Sequence, residues 1–397
     1  MAVTAFFSAF MGVVVFFFSL SGNMGSPAHW IYAISMLAVF AAMIHTRAYS
    51  RWRRVFQVSF ALLFMISFIG ILYDERGSMS LTQDTVQSGE VPFCQIVIPA
   101  IIAPFALTGR VIFPARMTGH FASVMGMILL WFIATVTIGR GWCGWVCFYG
   151  GWEEGASRIL KKPRVNLLSR NKDLRSFQFA FLFFVVLMSL GFMSSVYCEW
   201  FCPFKLVTEY AEISDLPSLI ATVIFIGLFL GLVIVLPLLT RKRTQCSALC
   251  PFGAFQSLMD RFSSYRVVID VDKCVGCMKC AEACSFCAID RETIREEKGR
   301  PELTCAKCGE CLSVCPTGAI RYQFSFQAVS DARIRAKGCS PVPKNAPSNR
   351  FGAYFQAILD PQYLFVFTAF TFSVIVSGKF IPDAFIRIAS IAFGGPR

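Results

Sequence analysis

The chain has 397 residues, 56% of them apolar and only 15% charged, with 37 Lys and Arg against 24 Asp and Glu for a net charge of +13, and it carries 42 Phe and 17 Cys. An ordinary soluble domain, about a quarter of whose residues are charged, is excluded, as is disorder, because this much apolar side chain cannot be left in water. A secreted disulfide scaffold does not fit a chain of this length with apolar spans, and the basic surplus reads as the positive-inside signal of a membrane protein, not as nucleic-acid binding.

A helix needs roughly 20 apolar residues to cross a bilayer core. The first stretches near that length are Ala5–Leu20, Trp30–His45 and Val55–Tyr73. Met1–Phe7 has no basic run and no convincing small-residue cleavage site follows, so the first stretch reads as a retained helix and not a signal peptide. Pro92–Leu107 is apolar but holds Pro92, Pro99 and Pro104, each without an N–H, and reads as a broken or re-entrant element inside the bundle. Further spans are expected at His120–Ile138, Phe177–Val196, Leu219–Leu239 and Phe351–Val376, about seven in all. Pro382 and Arg387 interrupt the remaining Gly378–Phe393, leaving the C-terminus outside or folded back along the interface.

Lys and Arg gather on alternate connections. Arg47, Arg51, Arg53 and Arg54 follow the second span, eight lie in Gly139–Ser176, and Arg241, Lys242 and Arg243 follow the sixth. The opposite connections hold only Arg76, Arg110, Arg116 and Lys205 among eight acids. The crowded side is therefore expected to be cytoplasmic, with the N-terminus inside.

Three cysteine pairs share one spacing: Cys143-Gly-Trp-Val-Cys147, Cys198-Glu-Trp-Phe-Cys202-Pro203 and Cys246-Ser-Ala-Leu-Cys250-Pro251. On a helical turn, residues four apart are neighbours, so each pair can present both sulfurs on one face. From the topology, Cys143, Cys147, Cys246 and Cys250 are expected to converge at the cytoplasmic face, as an iron–sulfur cluster or another metal site. Cys198 and Cys202 are expected at the outer face with Cys94, as a metal or cluster site completed by a non-Cys side chain or an exogenous group, or as a disulfide or thiols.

Between Val267 and Tyr322 the Phe-rich composition stops and two runs appear: Cys274-x2-Cys277-x2-Cys280-x3-Cys284 and Cys305-x2-Cys308-x2-Cys311-x3-Cys315-Pro316. This is the two-cluster bacterial ferredoxin pattern, in which the fourth cysteine of each run ligates the other cluster. One [4Fe–4S] cluster would use Cys274, Cys277, Cys280 and Cys315, and the second Cys305, Cys308, Cys311 and Cys284. Ser285 stands where Pro would follow Cys284, and Cys287 is an alternative ligand to Cys284. Paired zinc sites usually show two separated Cys pairs, not two runs of four. Short strands around Arg266–Asp270 and Ile320–Gln323 would frame the domain. Cys94, Cys287 and Cys339 stand outside the patterned sets.

Gly139-Arg-Gly-Trp-Cys143-Gly-Trp-Val-Cys147, followed by Cys246-Ser-Ala-Leu-Cys250-Pro-Phe-Gly-Ala ahead of the twin runs, resembles the membrane-bound polyferredoxin family of NapH-, NosR- and CcoG-type proteins. The resemblance spans roughly residues 92 to 322. It implies an electron carrier between the quinol pool or a cytoplasmic donor and a partner enzyme. Phe148 stands where the family usually has Pro, and neither a periplasmic flavin domain nor a C-terminal soluble domain is present in this sequence.

The histidines are His29, His45 and His120. A helix-end role suits them better than haem ligation, and a quinol proton acceptor is the other functional reading. The expected architecture is an all-α polytopic membrane bundle of about seven spans plus the broken segment, with a small α+β twin-[4Fe–4S] ferredoxin domain on the cytoplasmic side. Its parts are a bundle over 1–265, the ferredoxin domain over 266–325, a linker over 326–350 and a C-terminal membrane segment over 351–397. The expected function is iron–sulfur electron transfer in the inner membrane of a bacterium, as a carrier or quinol dehydrogenase-type subunit. Its partners would be redox proteins or subunits of a membrane complex, membrane lipid and quinone. The competing readings are a copper-reducing assembly factor and a redox-sensing anchor subunit.

Overall fold

The computed structural model describes residues 2–74, 90–91, 95–109, 122–166, 172–204, 216–295, 299–328 and 350–393. It is mostly helical, and among the described residues five helices are long and apolar enough to cross a membrane: Ala2–Leu20, Pro27–Thr46, Asp173–Phe192, Thr222–Thr240 and Pro361–Phe393. The spans expected at Val55–Tyr73 and His120–Ile138 fall on helices Tyr49–Asp74 and Val124–Thr137, which are not among those five. The proline-rich segment holds helix Ile98–Thr108 with Pro104 inside it. At about 1.5 Å per residue this helix is too short to cross a bilayer.

Three expectations about boundaries are corrected. The last span does not begin at Phe351: helix Arg350–Ile358 ends, and a new helix Pro361–Phe393 starts. Asp360 accepts the Gln362 N–H at 2.8 Å, and Pro361 opens the helix where its missing N–H costs nothing. Pro382 does not interrupt that helix, which runs on for 33 residues. The third correction concerns Phe177–Val196. Its helix ends at Phe192, Met193 adopts a left-handed φ of 49°, and the chain turns back.

The chain forms two compact units. The first comprises Met1–Phe60, Ala134–Cys147 and Met259–Ile386. Helices Ala2–Val15 and Pro27–Thr46 pack together in it, and the last long helix joins them through ring contacts of Phe7 with Tyr363 and Phe367 and of Phe40 with Phe370. Buried Tyr32 donates to Val374 O at 3.0 Å and lies 2.9 Å from Ser377 Oγ, a hydrogen bond made between helices where water is absent. The exposed faces are themselves apolar, with Phe10, Phe17, Phe18, Ile31 and Ile34 outward, as lipid requires.

The same unit holds the cysteine-rich insert. Strands Tyr265–Ile269 and Ile320–Phe324 pair antiparallel, with Val267 opposite Tyr322 and Ile269 opposite Ile320. Alternate residues Tyr265, Val267 and Ile269 are buried, the period-2 pattern of a one-sided sheet. Between the strands the two halves repeat at a spacing of thirty-one residues. Left-handed Gly276 and Met278 correspond to left-handed Lys307 and Gly309, helix Lys279–Ala283 to Glu310–Val314, and Cys287 to Gly318.

The second unit comprises Ala61–Ile133, Phe148–Leu258 and Arg387–Arg397. Helix Lys172–Phe192 packs on Ile98–Thr108 and on the short Thr244–Ala248 helix. The wide-turn segment Tyr197–Phe201 runs back along Lys172–Phe192, with Phe201 ringed by Phe181 and Phe184 at 5.5 and 6.3 Å.

Candidate metal centres

The cysteine turns of the insert are built on left-handed backbone, which lets a short loop wrap back on itself and point successive thiols at one place. Glycine takes this conformation freely, and a side chain there costs about 1–2 kcal/mol. In the second run Ala306 and Lys307 separate Cys305 from Cys308, and helix Glu310–Val314 carries Cys311 inward. Cys284, from the first run, reaches this trio. Burial and then the Cys284 thiol beside it push the Cys305 thiol up to about 12, and burial together with Cys308, Cys305 and Cys284 raises Cys311. Protonated thiols crowded in a dry pocket are what a cationic iron centre would ionise, because a coordinating thiol is deprotonated by its metal.

Cys280 lies with Cys274 and Cys277, which add to the burial that raises its thiol. Cys315 sits 3.6 Å from Thr317 Oγ1. Ala288 N–H donates to Cys284 Sγ at 3.3 Å, the kind of contact that tunes a sulfur ligand. Cys287 is buried at the left-handed turn that corresponds to Gly318, so the repeat aligns it with a turn position and Cys284 with Cys315. Among the described residues no group of three or more His, Cys, Asp or Glu is arranged to hold a single metal ion.

The loop bearing Cys143 and Cys147 lies directly on the second run. Trp145 Nε1 and Tyr322 Oη both donate to the Lys307 carbonyl, at 2.9 and 2.7 Å. A Cβ on Gly144 would collide with the Ala306 carbonyl oxygen and lie 3.4 Å from Cys308 Cβ, so only glycine admits this approach. Lys307 Nζ donates to Ile138 O at 3.1 Å, Asp260 Oδ1 at 2.7 Å and Ser263 Oγ at 2.6 Å, and Asp260 also accepts the Arg140 N–H at 2.8 Å. Fully buried Arg140 donates to Leu303 O at 3.4 Å and covers the Phe286 ring at 5.7 Å.

In the second unit, Cys250 and the Cys198–Cys202 pair all lie close to Tyr197. Gln245 Nε2 donates to the Tyr197 hydroxyl oxygen at 2.9 Å, and burial followed by Cys202, Cys250 and Cys198 raises that hydroxyl well above the ordinary value. The expectation that the Cys198–Cys202 and Cys246–Cys250 pairs lie at opposite faces is thereby corrected. The chain turns back after Phe192 and carries Cys198 and Cys202 along the helix it has just left. Glu153, fully buried, accepts the N–H groups of Gln245 at 2.6 Å and Cys246 at 3.0 Å, and burial lifts its carboxyl to about 6. Glu154 pairs with buried Arg243 at 3.4 Å. Gly253 N–H donates to Cys250 Sγ at 3.4 Å. Cys94, Cys339 and His120 lie outside the described residues.

Sequence reasoning used Arg53 and Arg140 as charge alone and passed over Gln57, Glu153, Asp260, Lys307 and Glu310. A weak signal existed for two of them, since Lys307 occupies a turn position that is glycine in the first run and Glu310 falls inside a ligand spacing.

Comparison with known proteins gives a 4Fe-4S dicluster domain at residues 273–320 and a 4Fe-4S binding domain matched three times, at 120–166, 177–214 and 222–267. Each of the three contains one Cys-x3-Cys pair. The ferredoxin-type protein NapH of Haemophilus influenzae is 24% identical over 282 residues, covering 69% of this chain and 89% of its own length. The methylamine utilization ferredoxin-type protein MauN of Methylobacillus flagellatus is 23% identical, covering 62% and 80%. An uncharacterized protein of Methanocaldococcus jannaschii is 27% identical, covering 54% and 74%. No solved structure matches.

Proposed function

The chain resembles the membrane-bound polyferredoxins through all of its cysteine motifs, and from that premise we propose that it relays electrons between a cytoplasmic donor or the quinone pool and a partner redox protein at or across a bacterial inner membrane. Bound iron–sulfur clusters would supply one-electron storage, and the protein would set their potentials through burial, charge and hydrogen bonds to sulfur. Cys274, Cys277, Cys280 and Cys315 hold one [4Fe–4S] cluster in this reading, and Cys284, Cys305, Cys308 and Cys311 the other. The grouping of Cys284 with the second trio supports it.

The observation that carries the reading is the seating of the Cys143–Cys147 turn on the second run, through Trp145 and Lys307 at 2.9 Å. A ferredoxin fold used only in solution has no reason to bury one of its cysteine loops against a thiol-bearing membrane turn. Cys198, Cys202 and Cys250, with Cys246 four residues before Cys250, are in this reading the ligands of a further iron–sulfur centre, supported by the shared proximity of Cys198, Cys202 and Cys250 to Tyr197. Residues 1–265 and 351–397 form the membrane bundle, about seven spans, with the 266–325 domain on the cytoplasmic side; the positive-inside count supports that orientation.

A quinone link draws support from a cavity of about 370 Å³ lined by His45, Arg47, Tyr49, Asp360, Gln362 and Tyr363. It combines aromatic walls with groups able to hydrogen-bond a quinone oxygen.

Iron analysis and anaerobic EPR of the reduced full-length chain test the proposal. More than about eight irons per chain, with interacting [4Fe–4S] signals, is the expected result. A count of eight or fewer removes the membrane centre, and copper in place of iron at the outlying thiols favours the assembly-factor reading.

A further inference from the structure

Arg53 and Gln57 lie one turn apart on helix Tyr49–Asp74, and both are fully buried. Arg53 Nη1 donates to Gln57 Oε1 at 2.8 Å and to the Gly144 carbonyl at 2.7 Å, while its Nη2 donates to Glu310 Oε1 at 3.2 Å. Gln57 Nε2 donates to the carbonyls of Cys143 and Cys147 at 3.3 and 3.1 Å. Arg54 reaches the same Glu310 oxygen at 2.5 Å. Glu310 itself is 4% exposed and sits between Cys308 and Cys311. One side-chain pair thus grips the middle and both ends of the membrane Cys-x3-Cys turn and, in the same fork, the second ferredoxin run.

A buried ion group of this kind is weak as a source of stability, since desolvation takes back much of the attraction, and apolar residues of equal volume would often do as well. What it supplies is geometry. A guanidinium fork fixes two partners in one plane, and a backbone carbonyl on one side with a carboxylate on the other fixes the two loops to each other. Across that joint Gly144 lies against Ala306 with no space for a Cβ. The first run is placed otherwise, with Cys277 exposed and Val275 67% exposed.

We propose that Arg53 and Gln57 are positioning residues that lock the Cys143–Cys147 turn against the Cys305–Cys311 run, making the second run the membrane-proximal one and the Cys274–Cys280 run the solvent-side one. The inference rests on the electron-transfer reading above. The step it would serve is an outer-sphere exchange between the cluster held by the second run and a redox centre on the membrane side: one electron would leave one and enter the other, with no bond formed or broken and no proton moved.

The test uses the full-length, iron-loaded chain in detergent, titrated with dithionite and followed by EPR so that the two ferredoxin signals give separate midpoints. Arg53→Gln removes a buried positive charge and should lower the midpoint of one cluster only. Glu310→Gln removes a negative charge beside the same cluster and should raise it. Arg53→Lys keeps the charge and should return the midpoint toward the parent value. Lys273→Gln, in the exposed first run, should move the other midpoint or neither. Opposite shifts confined to one cluster support the joint. Equal shifts of both clusters, shifts of the same sign for Arg53→Gln and Glu310→Gln, or none at all overturn it. The iron count decides the underlying reading separately, because a chain without iron outside the ferredoxin cysteines still gives two ferredoxin midpoints.

Discussion

Lys307 extends its Nζ to within 2.7 Å of the Asp260 carboxylate from a backbone position with φ of 49°, where the first ferredoxin run has Gly276. The strained backbone is maintained because the ammonium finds three acceptors, two of them in the segment that ends the membrane part and one at the end of helix Val124–Thr137.

Lys307→Gly should therefore keep the cysteine turn and weaken the attachment. Removing one partner of a buried pair costs about 3–5 kcal/mol, and relief of left-handed strain returns about 1–2 kcal/mol. The net loss is about 1–4 kcal/mol. Iron content should stay at the parent value, while the urea midpoint for bleaching of the iron–sulfur absorbance falls. An unchanged midpoint would show that the lysine does not hold the insert.

Cys284→Ser and Cys287→Ser separate the two candidate ligands. Cys284 lies with Cys305, Cys308 and Cys311, and Cys287 occupies a left-handed turn that matches Gly318. The first substitution should lose up to about four irons and one EPR signal; the second should lose none. Iron loss on Cys287→Ser alone would reverse the assignment.

The two ferredoxin runs were legible in the sequence because their ligand spacing is dictated by the cube they hold, and the strands flanking them, around Arg266–Asp270 and Ile320–Gln323, were expected by likeness to small ferredoxins. Long apolar helices were legible for the same reason, since bilayer thickness sets their length. What spacing does not encode is where a chain doubles back. Phe177–Val196 reads as one span, yet the left-handed Met193 ends the helix and returns Cys198 and Cys202 toward Cys250, a change of place that hydropathy cannot register. The clamp at Arg53 and Glu310 was hidden for another reason. Its residues come from positions 257 apart, and each alone reads as an ordinary surface charge.

Gly139 tests how tightly the membrane segment must approach the insert. Its φ is 57°, a Cβ there would strike the Asp260 carboxylate and lie 2.7 Å from Ser263 Cβ, and the next N–H is the one Asp260 accepts. Gly139→Ala combines left-handed strain of about 1–2 kcal/mol with displacement of Asp260 from Lys307 and Arg140, for a loss of about 2–4 kcal/mol. Faster cleavage of the insert in limited proteolysis is the expected sign, and wild-type resistance would show that Asp260 can move without consequence.

The grouping of Cys198 and Cys202 with Cys250 around Tyr197 predicts that substitutions in the two pairs share one phenotype. Thiolates that ligate one centre act as a unit, so Cys202→Ser and Cys250→Ser should each remove the same portion of the metal, and the double variant should remove no more than either alone. Ligands of separate centres would instead give additive losses. Metal analysis of the three variants beside the parent decides between these outcomes. The two ferredoxin EPR signals serve as the internal control, because neither substitution touches their ligands.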